Sequence, residues 1–191
     1  MQGCICVFGS GKASPDSPEY SMAKDLGRLL AQNGFIHVSG GYAGTMEAGA
    51  KAAREAGGKT IGVTVEGWGP PNPYIETVHP MPHLFARIQK LMKLGEAYII
   101  LPGATGTLIE LAMAWERALK GLDDRKKPII LIGDFWLPVI QVVKSGISGA
   151  TPSQNAKSLF EDYLWLAKTP EMSLDLLKKF FRFSCKNNKS N

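Results

Sequence analysis

Residues 102–110 read Pro-Gly-Ala-Thr-Gly-Thr-Leu-Ile-Glu, and they hold the strongest candidate for chemistry in this chain. An apolar run, Ala97–Leu101, precedes them and an amphipathic stretch, Thr107–Lys120, follows, so the segment is a strand-to-helix turn. Gly103 and Gly106 allow the backbone to approach a ligand closely. Thr107 brings a hydroxyl to the helix start, and Glu110 falls on the expected first turn of the helix. A carboxylate there is held ionised by the helix dipole and aimed at whatever the loop binds. The i, i+3 spacing of Thr107 and Glu110 equally fits a capping box, in which Glu110 turns back onto its own helix.

Two more glycine clusters follow short apolar runs. Residues 3–8 end at Gly9-Ser10-Gly11, and residues 35–39 end at Gly40-Gly41-Tyr42-Ala43-Gly44-Thr45-Met46. Glycines between a strand and a helix turn backbone N–H groups and the helix dipole toward an anion, usually a phosphate. Two familiar nucleotide loops are excluded. A P-loop needs Gly five positions before its Gly-Lys pair and Ser or Thr after it, where this chain has Cys6 and Ala13. The dinucleotide fingerprint lacks its third glycine, replaced by Ser14, and its ribose-binding acid at the end of the second strand.

These loops need a scaffold that brings them to one edge. Helical periodicity appears at 18–33 (after Ser17-Pro18), 45–56, 84–94, 107–120, 135–144 and 170–181, and short apolar runs at 60–65, 97–101, 128–132 and 164–167. Residues 66–83 are a Pro- and Gly-rich loop with a short strand near Ile75–Val78, and 145–156 a polar connection. The alternation predicts an α/β fold, a single Rossmann-like doubly wound domain with a mainly parallel sheet and helices on both faces. The domain spans residues 1–183, with a basic, disordered tail at 184–191.

The chain has 191 residues and a formal net charge of +5. That excess sits at the end: residues 176–191 carry five basic residues and no acid, and the remainder balances at 17 against 17. A nucleic-acid groove would draw its charge from the folded body, so nucleic acid is not an expected partner. No apolar run of about 18 residues is present, which argues against a membrane span. Three cysteines and no apolar leader suggest a cytoplasmic protein with reduced thiols. Cys4 and Cys6 share one strand face as packing residues, and no His/Cys cluster has metal spacing. His37 reads as core, His79 and His83 as possible ligand contacts, and Trp115 as packed or interfacial. Glu47 reads equally as a cap or a site residue.

The motifs together resemble the LOG family, the cytokinin riboside 5′-monophosphate phosphoribohydrolases and their bacterial relatives often misannotated as lysine decarboxylases. The family signature Pro-Gly-Gly-x-Gly-Thr-x-x-Glu resembles residues 102–110, and its Gly-Gly-x-x-Gly-x-Met resembles residues 40–46. Arg87, fifteen residues before Pro102, matches the family arginine; by pattern alone it reads as a solvated helix residue. The resemblance implies Arg87 and Glu110 as catalytic residues. It implies Ser10, Gly40, Gly41, Gly44, Thr45, Met46, Gly103, Thr105, Gly106 and Thr107 as the phosphate and nucleotide cradle.

The implied reaction is hydrolysis of the N-glycosidic bond of a nucleoside 5′-monophosphate by a homodimer, without cofactor or metal. Nothing in the chain resembles a pyridoxal-phosphate site, so lysine decarboxylation is excluded. Ala104, Glu47 and Ile109 depart from the plant-type pattern and look more like the bacterial branch close to molybdenum-cofactor carriers. The alternative is therefore a non-catalytic carrier of a nucleotide or molybdopterin-type cofactor.

Overall fold

The computed structural model describes residues 3–148 and 163–187. Its elements follow the order β1 (Cys4–Phe8), α1 (Pro18–Gln32), β2 (Ile36–Ser39), α2 (Thr45–Glu55), β3 (Thr60–Val65), β4 (Thr77–Met81), α3 (Leu84–Leu94), β5 (Ala97–Ile100), α4 (Thr105–Leu119), β6 (Ile129–Ile132), α5 (Leu137–Ser148), β7 (Leu164–Ala167) and α6 (Pro170–Asn187). The seven strands form one sheet in the order β4-β3-β2-β1-β5-β6-β7, and every pairing is parallel. This is the doubly wound α/β architecture expected from the sequence.

Strand alternation sorts the core into two layers. Cys6 and Phe8 face the side packed by Ile88, Leu91, Leu111 and Trp115, whereas Ile5 and Val7 face Ala23, Leu26, Leu30 and Leu177. Cys4 packs on the same layer as Cys6, as their spacing requires, and Trp115 is a packing residue of that layer. The central strands read as continuous apolar runs because both faces are covered. Ile99 and Ile129 are fully buried, each worth roughly 1.5–3 kcal/mol of transfer free energy. Where α1 crosses α2, a Cβ on Gly27 would overlap the Gly49 carbonyl, so glycine sets the close approach of the two helices. His37 is core, and its ring lies against Gly49, 2.5 Å from where a Cβ would stand.

The sheet reverses its winding at β1. Chain order runs outward from β1 through β2, β3 and β4, then returns to pair β5 on the other side. The loops after β1 and β5 thus flank a topological switch point, where open α/β sheets bind ligands.

Several boundaries differ from the sequence reading. β4 is a full strand over Thr77–Met81 although it contains Pro80. It is an edge strand, where one missing donor is tolerated. The helix after Pro102 starts at Thr105, two residues early, and α5 continues to Ser148, into the expected polar connection. The last helix, α6, runs on to Asn187, past its expected end at 181. Residues 149–156 of the connection and 188–191 of the expected tail lie outside the described residues.

Candidate functional site

Four elements converge on the Arg87 guanidinium. Arg87 stands on the first turn of α3, donates through Nε to the Val63 carbonyl of β3 at 2.8 Å, and lies over the Tyr42 ring at 5.9 Å. Its Nη1 faces Glu110 Oε1 of α4 at 3.5 Å. Its Nη2 fills the space beside Gly40, where a Cβ would overlap it. Both charged side chains are buried, Arg87 at 8% and Glu110 at 7% exposure. The solvated reading of Arg87 is thereby corrected: helix periodicity alone cannot reveal that a neighbouring glycine makes room for a guanidinium.

Burial dominates the electrostatics of the pair. Loss of solvent pushes the Glu110 carboxyl up to about 7, and attraction to Arg87 only partly offsets it. The expectation that the helix dipole keeps Glu110 ionised is therefore overturned. Because α4 begins at Thr105, Glu110 is its sixth residue and lies beyond the reach of the terminal dipole. The capping-box reading fails for the same reason. The N-cap is Ala104, and Thr107 is buried inside the helix, where its hydroxyl occupies the space of a missing side chain at Gly103.

The glycine loops meet at the same edge. Gly44 has a φ of 67°, and a Cβ there would overlap the Ser10 carbonyl. That carbonyl accepts hydrogen bonds from Thr45 N–H at 3.0 Å and Thr45 Oγ1 at 3.2 Å, joining the loops after β1 and β2. Gly41, with a φ of 79°, donates its N–H to Ser39 Oγ at 3.2 Å and backs onto Gly62. Met46 contributes Sδ beside Gly40 and Cε beside Gly11. Thr105 and Gly106 are exposed at the start of α4.

The helix starts themselves differ. Ser17 caps α1 through its hydroxyl at 3.3 Å, and His83 caps α3 through Nδ1 at 3.2 Å, whereas α2 and α4 have no side-chain cap. The two helices that begin at the glycine motifs thus present first-turn N–H groups that no capping side chain satisfies. Ala104 adopts a φ of −105°, which any L-residue takes freely, so its methyl group introduces no backbone strain.

The remaining candidates do not join this cluster. His83 is a helix cap, and His79 lies on edge strand β4, its imidazole pKa lowered by burial and then by Lys90. Glu47 stands half-buried on the first turn of α2. No metal-binding group of His, Cys, Asp and Glu occurs among the described residues. A cleft of about 550 Å³ opens at the amino ends of β5 and β6, the edge opposite the glycine loops. Its basic side chains are largely engaged, Arg117 and Lys127 with Asp123 and Arg125 with Glu96, at 2.8–3.0 Å.

Sequence reading missed Tyr42. Its hydroxyl accepts from Val65 N–H at 2.8 Å and sets the ring under Arg87. An aromatic residue inside a glycine loop was the available signal.

The sequence matches the model of the SLOG cluster4 family over residues 2–151. The chain belongs to the SLOG cluster4 family. This bears out the resemblance to LOG proteins read from the glycine motifs. An uncharacterized protein of Archaeoglobus fulgidus is 30% identical to this SLOG cluster4 chain over 131 residues, 68% of this chain and 83% of its own length. A cytokinin riboside 5′-monophosphate phosphoribohydrolase of Mycobacterium tuberculosis is 35% identical over 133 residues, 65% of this chain and 67% of its own length. The molybdenum cofactor binding protein of Rippkaea orientalis superposes with a TM-score of 0.72 at 26% identity, over 95% of this chain and 98% of its own. No helix among the described residues is long and apolar enough to cross a membrane.

Proposed function

We propose that this protein hydrolyses the N-glycosidic bond of a nucleoside 5′-monophosphate, yielding the free base and ribose 5-phosphate. The observation that carries the reading is the buried Arg87–Glu110 pair at 3.5 Å, lying at the sheet edge where two uncapped helices begin. The loops around Gly40–Met46 and Gly103–Thr107, with Ser10, cradle the 5′-phosphate through backbone N–H groups. Arg87 holds the phosphoribosyl portion and draws Glu110 toward its charged form.

The C1′–N bond breaks with its electron pair moving to the base, leaving positive charge on the ribose ring. Ionised Glu110 stabilises that charge and takes a proton from the incoming water as its oxygen bonds to C1′. The proton then passes to the departing nitrogen, so one water is consumed. A carboxylate titrating at about 7 is matched to both halves of that transfer near neutral pH.

Purified protein incubated with AMP should release adenine and ribose 5-phosphate in equal amounts, and Glu110→Gln should abolish release while binding persists. Failure of the unaltered protein to release either product would overturn the hydrolase reading.

The second reading is a carrier of a nucleotide or a molybdopterin-type cofactor, favoured by the likeness to the Rippkaea orientalis protein. A carrier should keep its ligand through purification, detectable by absorbance after denaturation, whereas a hydrolase should not. In either reading the protein acts in the cytoplasm as a homodimer, a state supported by exposed Phe85, Ile109 and Met113 on α3 and α4. Light scattering should return twice the 20.7 kDa chain mass.

A further inference from the structure

β3 and β4 are parallel neighbours joined without a helix, so residues 66–76 must travel from the carboxyl edge of the sheet back to its amino edge. The loop is pinned at both ends of that path. Asn72 donates its N–H to the Gly41 carbonyl and its Nδ2 to the Tyr42 carbonyl, both at 2.8 Å. At the far end Thr60 Oγ1 donates to the Tyr74 carbonyl at 2.7 Å. Trp68 stands at the carboxyl edge, where its N–H donates to the Val65 carbonyl at 3.2 Å. Gly67 and Gly69 flank it with φ values of 81° and 103°, a backbone path that brings the indole out of the sheet rather than into the core.

The indole is 56% exposed, although tryptophan gains more from burial than almost any other side chain. It lies tilted against the Tyr42 ring, at 6.3 Å between centroids and 34° between planes. Tyr42 in turn lies under the Arg87 guanidinium at 5.9 Å, and its hydroxyl is held on the Val65 backbone. Guanidinium, phenol and indole therefore form a continuous series leading outward from the ion pair, the first two bonded to the β3 backbone and Trp68 anchored through its own backbone N–H.

We infer that Trp68 is the stacking platform for the planar heterocyclic base of the phosphorylated ligand. The inference rests on the nucleotide reading of the Arg87–Glu110 site and adds the residue that recognises the base. The glycine loops and Arg87 answer to phosphate and ribose, which leaves the base without a contact in that reading. An exposed ring one aromatic residue beyond Arg87 supplies a flat, apolar surface. Stacking tolerates any base, so Trp68 contributes affinity for an aromatic heterocycle rather than choice among bases.

The test compares AMP with ribose 5-phosphate, which lacks the base, by calorimetry in the Glu110→Gln background, where AMP is not turned over. Adding Trp68→Ala should weaken AMP binding about tenfold or more and leave ribose 5-phosphate unchanged. Trp68→Phe should restore most of the loss. If Trp68→Ala leaves AMP binding intact, or weakens both ligands equally, the platform assignment is wrong. An equal loss accompanied by a changed light-scattering mass would assign Trp68 to a subunit contact instead. If the Glu110→Gln protein binds neither ligand, the phosphoribosyl reading of the site falls and this inference falls with it.

Discussion

The Arg87 guanidinium occupies the space that a side chain on Gly40 would fill, so these two residues, 47 positions apart in the chain, specify one another. Nη2 lies beside the Gly40 backbone while Nε bonds Val63 and Nη1 faces Glu110. Gly40→Ala should therefore displace Arg87 without unfolding the sheet. We expect a loss of stability of roughly 1–3 kcal/mol from overpacking. The rate should fall far more, about a hundredfold, because small misplacements of a positioning group are costly in rate. Circular dichroism and nucleotide hydrolysis measured on the same sample separate the two effects.

Activity should rise with pH through about 7, the value to which burial raises the Glu110 carboxyl. Below it kcat/KM should fall tenfold per pH unit, since the ionised form is the one that accepts the water proton. The nucleotide phosphate titrates near pH 6, about a unit lower, so its effect appears as a separate limb. Arg87→Met removes the group that partly offsets burial, and the remaining activity should rise at a higher pH than in the unaltered protein. A profile unmoved by Arg87→Met would mean that the two side chains are not coupled.

Stability should vary with pH through two buried groups acting in opposite senses. Folded His37 stays neutral until pH falls to about 4, while the unfolded imidazole protonates near 6.5. The unfolded state holds more protons between those values, so stability present above 6.5 is lost as pH falls through that window. Glu110 stays protonated in the fold up to about 7 but ionises near 4.5 when unfolded. The folded state holds more protons there, so stability present below 4.5 is lost as pH rises toward 7. Each contribution is on the order of 3 kcal/mol. Glu110→Gln should remove the decline in stability between pH 4.5 and 7, and His37→Leu should flatten the decline between pH 6.5 and 4. Melting curves across pH 4–8 check both signs.

Gly44→Ala should weaken both the fold and ligand binding. The φ of 67° places an L-residue in the left-handed region, and the added methyl group would overlap the Ser10 carbonyl that Thr45 bonds. We expect a loss of about 2 kcal/mol in urea denaturation, with phosphate-ligand affinity reduced in parallel. Gly106→Ala, where an added methyl group meets open space, is the control and should leave stability within about 0.5 kcal/mol.

The sequence by itself determined the strands, the helices and their alternation. Apolar runs of four to six residues followed by glycine clusters are local signals, and local signals survive without a partner. It also determined the family, because three glycine motifs in order need only spacing. What those motifs touch was decided by the tertiary structure. Arg87 and Glu110 become a pair only when α3 and α4 pack on one face of the sheet, and burial of that pair reverses the charge preference that the helix start alone suggests. β4 tolerates Pro80 because it ends as an edge, a fact about strand order rather than about residues 77–81. The Tyr42–Trp68 contact depends on a loop crossing the sheet edge and being pinned by Asn72. Composition and period report what one segment prefers. Burial, and the neighbours it forces together, belong to the assembled sheet, and there the chemistry of this site is set.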